Sequence, residues 1–155
     1  MIETPQIVAT PAQPVAALHI STPRSEMRHV MGPGIQEAMA TAQAQSVGPT
    51  GPWFAHHHEI TAERFDFDIC VPVSASVNAV GRVRPWTRPA LDVVRTVYQG
   101  PYEGLGDAWQ VFDDWIAANG VQAASDVYER YLVGPESTLD PAQYQTELSR
   151  PLAGA

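Results

Sequence analysis

A glutamate stands between aromatic residues in the segment "DVYERYLVG", which runs from Asp126 to Gly134. If this segment is a β-strand, side chains alternate between its faces, and Glu129 shares one face with Val127 and Tyr131. One interpretation is a solvated acid on an exposed sheet face. The other is a partly buried, unpaired carboxylate, which would have a raised pKa and could bind a cation or act as a general base. Spacing alone favours the solvated acid.

A second candidate is the aromatic-rich stretch "VYQGPYEGLGDAWQVFDDWIAANG", from Val97 to Gly120. Its large rings belong to Tyr98, Tyr102, Trp109, Phe112 and Trp115. A helical stripe of aromatics usually packs into a core. Tyr and Trp, however, carry a polar tip that needs a partner when buried, and this favours a cavity or an interface. Tyr98 and Tyr102 flank Gly100-Pro101, so both can face the same space.

The run "HHHE", from His56 to Glu59, suggests a metal site. On a strand, His56 and His58 share one face and His57 lies on the other, so two ligands leave the site incomplete. His19, His29 and Cys70 could add ligands, but no recognisable spacing places them there. We therefore predict no metal. The sequence also has no phosphate-binding loop, G-x-S-x-G or H-E-x-x-H motif, and it suggests no nucleophilic triad.

Periodicity predicts the elements that must position these residues. Strands are expected over 7–20 (a pair, or one interrupted strand), 53–60, 64–73, 90–100, 126–134 and 144–152. Helices are expected from about Ser21 to Gln45, kinked at Gly32-Pro33-Gly34, and from Tyr102 to just before Gly120. The segment Val77 to Pro89, which contains "RPWTRP", is predicted to be a loop. In "RFDFDICVPV", Phe65, Phe67, Ile69 and Val71 alternate with Asp66, Asp68 and Cys70, which predicts a half-buried strand.

The order of elements repeats, once over about residues 7–73 and again over about 90–152. "WFAHH" can be aligned with "VYERY", which sets Ala55 opposite Glu129 and His57 opposite Tyr131. Few residues are identical, so the repeat rests on the order of elements. The length of 155 residues fits a single domain, residues 1–155.

Composition restricts the classes of function. The formal net charge is −8, so binding of nucleic acid through a broad basic surface is not expected. No run of about 20 apolar residues could span a membrane, and no signal peptide is visible. Cys70 is the only cysteine, which excludes an internal disulfide. These features predict a cytoplasmic protein without membrane attachment.

Four short motifs in a fixed order carry a family resemblance. They are Gly100-Pro101-Tyr102, the stretch Trp115 to Gly120, Glu129-Arg130-Tyr131, and Thr146-Glu147-Leu148 with Pro151. The first half agrees more loosely, through "PAQPVAALHISTP" and "DICVPV". The chain thus resembles the GyrI-like small-molecule-binding superfamily, which includes the effector-binding domains of AraC-type and MerR-type bacterial transcription activators. Nearly the whole chain takes part in this resemblance.

The resemblance implies an α+β fold of two β-α-β-β halves related by a pseudo-twofold axis, with an antiparallel sheet, two helices and a central ligand cleft. It also implies that Glu129 is a pocket acid that attracts lipophilic cations, rather than a solvated one. The residues expected to bind ligand are Glu129, Tyr98, Tyr102, Trp109 and Tyr131, with Trp53 and His57 from the first half. No cofactor is expected, and haem is not indicated.

The expected function is stand-alone binding of small aromatic, cationic compounds, as in drug or toxin sequestration. One alternative implied by the resemblance is hydrolysis of cyclopropane-containing DNA-alkylating natural products, with Glu129 and Tyr131 as catalytic residues. A less favoured alternative is a gyrase-inhibitor-like protein-interaction module. The module begins within the first dozen residues, so we expect no helix-turn-helix domain and no specific DNA binding. Whether the chain forms a homodimer stays open.

Overall fold

A computed structural model describes residues 2–60 and 63–153, and for residues 28, 59 and 60 only the backbone is considered. The described residues form eight β-strands and two α-helices. The strands are β1 Gln6–Thr10, β2 Gln13–Pro23, β3 Phe54–Ile60, β4 Arg64–Pro72, β5 Val83–Arg88, β6 Leu91–Gln99, β7 Val127–Val133 and β8 Gln145–Pro151. The helices are α1 Met27–Ala44 and α2 Leu105–Ala118.

The chain divides into two compact units. The first unit is Pro11–Ala90, whose antiparallel strands lie in the order β3-β4-β2-β5. The second unit consists of Met1–Thr10 with Leu91–Ala155, and its antiparallel order is β1-β6-β8-β7. Each unit contains a β-α-β-β sequence and one additional edge strand. The predicted α+β class and the two β-α-β-β units are therefore confirmed.

The strands β1 and β2 differ from the prediction that residues 7–20 form a pair or one interrupted strand. Strand β1 pairs with β6 of the second unit, whereas β2 pairs with β4 and β5 of the first. The prediction failed because a two-residue break is also typical of the loop in a β-hairpin, and the spacing of residues does not show with which strand each segment pairs.

The segment predicted to be a loop contains a strand, β5. Its sequence, "VRPWTR", includes Pro85, which has no N–H to donate. Strand β5 lies at the edge of its unit's sheet and pairs with β2, and an edge position tolerates a proline. Edge position is a property of the fold, so the two prolines of "RPWTRP" misled the prediction.

Helix α1 runs continuously through Pro33, where an interruption or kink was predicted. It begins at Met27, later than expected, because β2 extends to Pro23. Gly34 lets the helix approach its sheet, since a Cβ there would lie 2.7 Å from Cδ1 of Ile69 and 3.1 Å from Cδ1 of Ile20. The side chains of β2 and β4 on this face form the core of the first unit.

Strand β4 is buried on both faces from Phe67 to Pro72, so the prediction of a half-buried strand was wrong. Phe67, Ile69 and Val71 face α1, as alternation predicted. On the opposite face, Asp68 and Cys70 are buried as well. Alternation of polar and apolar residues failed here because Asp68 is a buried acid with hydrogen-bond partners on neighbouring strands.

The core of the second unit lies between α2 and the sheet. Its buried members are Val94, Tyr98, Ala108, Phe112, Ile116 and Leu148. The predicted stripe on α2 thus splits in two. Phe112 and Ile116 are core residues, and Trp109 is partly buried at the edge of the cluster. Within the described residues, no helix is long and apolar enough to cross a membrane.

Candidate functional site

Glu129 is held from two sides by neutral donors. The indole N–H of Trp109 donates to Oε2 of Glu129 at 2.6 Å, and the hydroxyl of Tyr131 donates to Oε1 at 2.6 Å. Trp109 comes from α2, whereas Glu129 and Tyr131 both come from β7. The expectation of an unpaired carboxylate was therefore wrong, since each oxygen has a hydrogen-bond partner within the same unit.

The sheet register explains why these side chains meet. Glu129 lies opposite Leu148, and Tyr131 lies opposite Thr146. Leu148 belongs to the core beneath α2, so Glu129 and Tyr131 are on the helix-covered face. Trp109 then reaches Glu129 from above, at the edge of the core. The solvated-acid interpretation is replaced by a half-buried carboxylate beside an aromatic cluster.

Further rings continue the cluster toward solvent. Tyr102 meets Tyr131 edge-on with ring centroids 6.1 Å apart, and its ring centroid lies 4.9 Å from that of Tyr144. Tyr102 sits in the 3-10 turn that precedes α2, and 37% of its surface is exposed. The cluster of Glu129, Tyr131, Trp109, Tyr102 and Tyr144 is called the Glu129 site below.

Both central tyrosines are held in the protonated form. Burial raises the pKa of Tyr131 well above its usual value, and the charge of Glu129 raises this pKa further. Burial also raises the pKa of Tyr102 to about 12, with additional contributions from Glu136, Tyr144 and Glu129. The Tyr131 hydroxyl therefore remains a donor to Glu129 at neutral pH, and the site is a carboxylate surrounded by neutral groups.

Tyr98 supports the site from below. Its side chain is buried in the core, and its hydroxyl donates to the carbonyl oxygen of Pro101 at 2.8 Å. A Cβ on Gly104 would overlap this hydroxyl, so glycine at the start of α2 allows the close approach. Tyr98 thus fixes the turn that presents Tyr102, and its polar tip is already satisfied.

Trp53 and His57 belong to the first unit. The His57 ring is buried and stacks on Phe67 with centroids 4.9 Å apart, and it also meets Phe65 at 5.8 Å. Trp53 lies just before β3 and is partly buried. That these two residues contribute to ligand binding stays a prediction.

Two residues of the neighbourhood were missed from the sequence. Tyr144 lies between a 3-10 turn and β8, and only the fold brings its ring to Tyr102. Glu136 is an exposed acid whose charge helps to raise the pKa of Tyr102. The sequence held one signal for Tyr144, which directly precedes the first residue of the closing strand.

Solved structures with the same fold include regulators and a protein named a hydrolase. The C-terminal domain of EcmrR aligns with a TM-score of 0.85 and 22% identity, covering 98% of each chain. SAV2435, solved with tetraphenylphosphonium bound, aligns with a TM-score of 0.71 and 13% identity, covering 98% of this chain and 95% of that one. A hydrolase encoded by lin2189 from Listeria innocua gives 0.62 and 11%, covering 96% and 91%. At these low identities, the structural alignments show likeness of fold alone.

In the complex of EcmrR with DNA, the aligned region is 57% of the EcmrR chain. Among curated proteins, none matches this chain significantly. The model of the GyrI-like small molecule binding domain matches residues 3–153, nearly the whole chain. The chain therefore belongs to the GyrI-like small-molecule-binding family.

Proposed function

We propose that the Glu129 site binds small, aromatic, cationic compounds. The observation that carries this proposal is the pairing of the Glu129 carboxylate with neutral donors alone, Trp109 and Tyr131. Among the side chains that the structure describes, no arginine or histidine forms an ion pair with Glu129. Its negative charge is held in place but not neutralised, and a cationic ligand would supply the missing counter-charge.

The surrounding rings suit the same ligand. Tyr102, Tyr131 and Tyr144 present aromatic faces and edges around the carboxylate, and a cation near such rings gains a further attraction. Tyr102 is partly exposed, which gives a ligand access to the cluster. Neutral tyrosine hydroxyls add orienting hydrogen bonds without opposing a positive charge.

The relatives support this choice of ligand class. SAV2435 was solved with tetraphenylphosphonium, an aromatic cation, and its structure aligns over almost the whole of this chain. The proposal takes residues 1–155 as one small-molecule-binding domain, in keeping with the family match. Capture of drugs or toxins is the role that such broad, charge-selective binding would serve.

Removal of the Glu129 charge tests the proposal. Glu129→Gln keeps the shape of the side chain, and we expect affinity for a cationic dye to fall by about 1–3 kcal/mol, or roughly 5- to 150-fold. Trp fluorescence titration with cationic, neutral and anionic dyes of similar size gives the affinities. Affinity for the neutral dye should change little.

Glu26→Gln is the matched control, because it removes the same formal charge from an exposed residue of the first unit. It should leave all three affinities unchanged. Equal affinities for the three dye classes in the parent protein would contradict the electrostatic part of the proposal. An equal effect of Glu26→Gln would show that net charge, and not this site, attracts the ligand.

Hydrolysis is the second candidate, and the relative from Listeria innocua named a hydrolase favours it. Glu129 would then activate water, with Tyr131 beside it, against a strained cyclopropane ring. The geometry supports binding better, since both carboxylate oxygens already accept hydrogen bonds. A rate assay with a cyclopropane-containing alkylator distinguishes hydrolysis from binding. For a hydrolase, Glu129→Gln should lower turnover about 10²–10⁴-fold and largely retain binding.

A further inference from the structure

A polar cluster lies in the first unit, on the sheet face opposite α1. His19 of β2 is directly across from Asp68 of β4, so their side chains point to the same side. Nδ1 of His19 lies 2.9 Å from Oδ1 of Asp68, and Nε2 of His58 lies 3.0 Å from Oδ2. Two histidines from different strands thus converge on one carboxylate.

Strand β3 brings His58 to the same face. His56 pairs with Asp68, and the rings of His56 and His58 lie 4.3 Å apart, so both are on the face of Asp68, as alternation along "HHHE" predicted. His57 pairs with Phe67 and Glu59 with Asp66, so His58 is an extra residue in the ladder. His58 thus reaches Asp68 from a third strand.

Access and burial are arranged as in an ion-binding site. The Asp68 side chain is only 5% exposed, whereas those of His19 and His58 are 45% and 43% exposed. The carboxylate is therefore fixed in the sheet while the two imidazoles border solvent. An ion could reach all three groups without opening the core.

We propose that His19, His58 and Asp68 bind a divalent transition-metal ion, with Zn²⁺ as the best fit. One ligand atom from each residue lies within 4.8 Å of the others. Two imidazole nitrogens and one carboxylate oxygen form a common three-ligand zinc set, and water would fill the fourth position. The ion would replace the protons that now join each ring to Asp68. Each ring nitrogen lies 2.9 or 3.0 Å from a different oxygen of Asp68, and the three ligand atoms, within 4.8 Å of one another, would close around the ion.

Asp66 lies beside His19 without a hydrogen bond to it, in the place where such sites usually have a supporting carboxylate. Its Oδ1 lies 3.1 Å from Nε2 of His19, the ring nitrogen that does not face Asp68. A metal-binding histidine commonly donates its second N–H to a carboxylate, which fixes the tautomer. Asp66 would therefore orient His19 with Nδ1 toward the metal.

Arg84 opposes the cation. One of its terminal nitrogens lies 3.4 Å from each oxygen of Asp68, and its side chain is 48% exposed. A bound metal would compete with this guanidinium for the same carboxylate. Arg84 therefore makes a directional test, because its removal should strengthen metal binding while removal of a ligand weakens it.

The experiment is isothermal titration of the untagged, full-length protein with ZnCl₂, complemented by the visible spectrum with Co²⁺, which reports a tetrahedral site. We expect one ion per chain in the parent. His19→Gln and His58→Gln should each weaken binding at least tenfold, and Asp66→Asn about 10- to 100-fold. Arg84→Gln should tighten it. A melting curve for each variant checks that the fold is kept.

Two controls identify the source of binding. His29→Gln removes an exposed histidine of α1, outside the cluster, and should change nothing. Cys70→Ala removes the single buried thiol and should also leave the stoichiometry unchanged. Failure to bind Zn²⁺ up to about 1 mM, or parent-like affinity in both histidine variants, would overturn the proposal and leave the cluster as a hydrogen-bonded network.

Discussion

Two hydrogen bonds fix the Glu129 carboxylate, and their strength can be measured separately from ligand binding. Tyr131→Phe keeps the ring and removes the hydroxyl that donates to Oε1. Because the carboxylate is charged and half-buried, we expect a loss of about 1–3 kcal/mol in the free energy of unfolding. Urea denaturation of parent and variant gives the difference.

Tyr144→Phe is the matched control for that change. Tyr144 belongs to the same cluster, but its hydroxyl forms no hydrogen bond within the part of the chain whose side chains are described. Its loss should alter stability by less than about 0.5 kcal/mol. By the same reasoning, Glu129→Gln should lower the free energy of unfolding by about 1 kcal/mol, because the amide oxygen can accept only one of the two hydrogen bonds.

The raised tyrosine pKa values predict a pH dependence. In the unfolded chain, tyrosines ionise near pH 10, whereas in the folded chain the pKa of Tyr102 is raised to about 12 and that of Tyr131 is raised as well. Above pH 10 the unfolded state thus binds fewer protons than the folded state. The stabilisation is fully present below pH 10 and is lost as the pH rises through 12.

Urea midpoints at about pH 9, 10 and 11 measure this effect. The double variant Tyr102→Phe/Tyr131→Phe should show a shallower decline over that range than the parent. A parent midpoint that stays constant from about pH 9 to 11 would show that neither tyrosine is perturbed.

At the scale of elements, the start of α2 positions the aromatic rings. Gly104→Ala would place a methyl group on the Tyr98 hydroxyl, which is held by Pro101 and cannot easily move. We expect a loss of about 1–3 kcal/mol in stability, together with weaker dye binding, because Tyr102 lies in this turn and Trp109 follows it. Thermal melting and the dye titration measure the two effects.

Gly106→Ala provides the comparison within the same helix. A Cβ on Gly106 would have no atom within 4 Å, so the substitution should stabilise α2 by up to about 1 kcal/mol and leave binding unchanged. If Gly104→Ala and Gly106→Ala were equally stable, the close contact with Tyr98 would not limit the size of the residue at position 104.

The sequence predicted most elements but few of their pairings. Helical spacing placed Trp109 and Phe112 on one helix, and Phe112 lies in the core of the second unit. It could not show that Trp109 donates to Glu129, since that bond depends on how α2 lies over β7. Similarly, His19 and Asp68 are 49 residues apart, and only the register of β2 against β4 joins them.

At the scale of the whole molecule, charge decides which partners are attracted. The formal net charge is −8, and at least five of the nine arginines form ion pairs within the chain. The paired arginines are Arg82, Arg84, Arg95, Arg130 and Arg150. The long-range field therefore attracts cations and repels phosphates, consistent with the ligand class proposed for the Glu129 site.

This charge distribution predicts that the chain does not bind duplex DNA. Phosphate contacts supply most of the affinity in protein–DNA complexes, and they require free basic side chains clustered on one surface. A gel-shift assay at low salt, where such contacts are strongest, should show no retention of duplex DNA at micromolar protein. A salt series controls for weak association, because contacts to phosphates lose affinity steeply as salt rises. Sub-micromolar retention at low salt would contradict the prediction, and its persistence at higher salt would indicate recognition beyond charge.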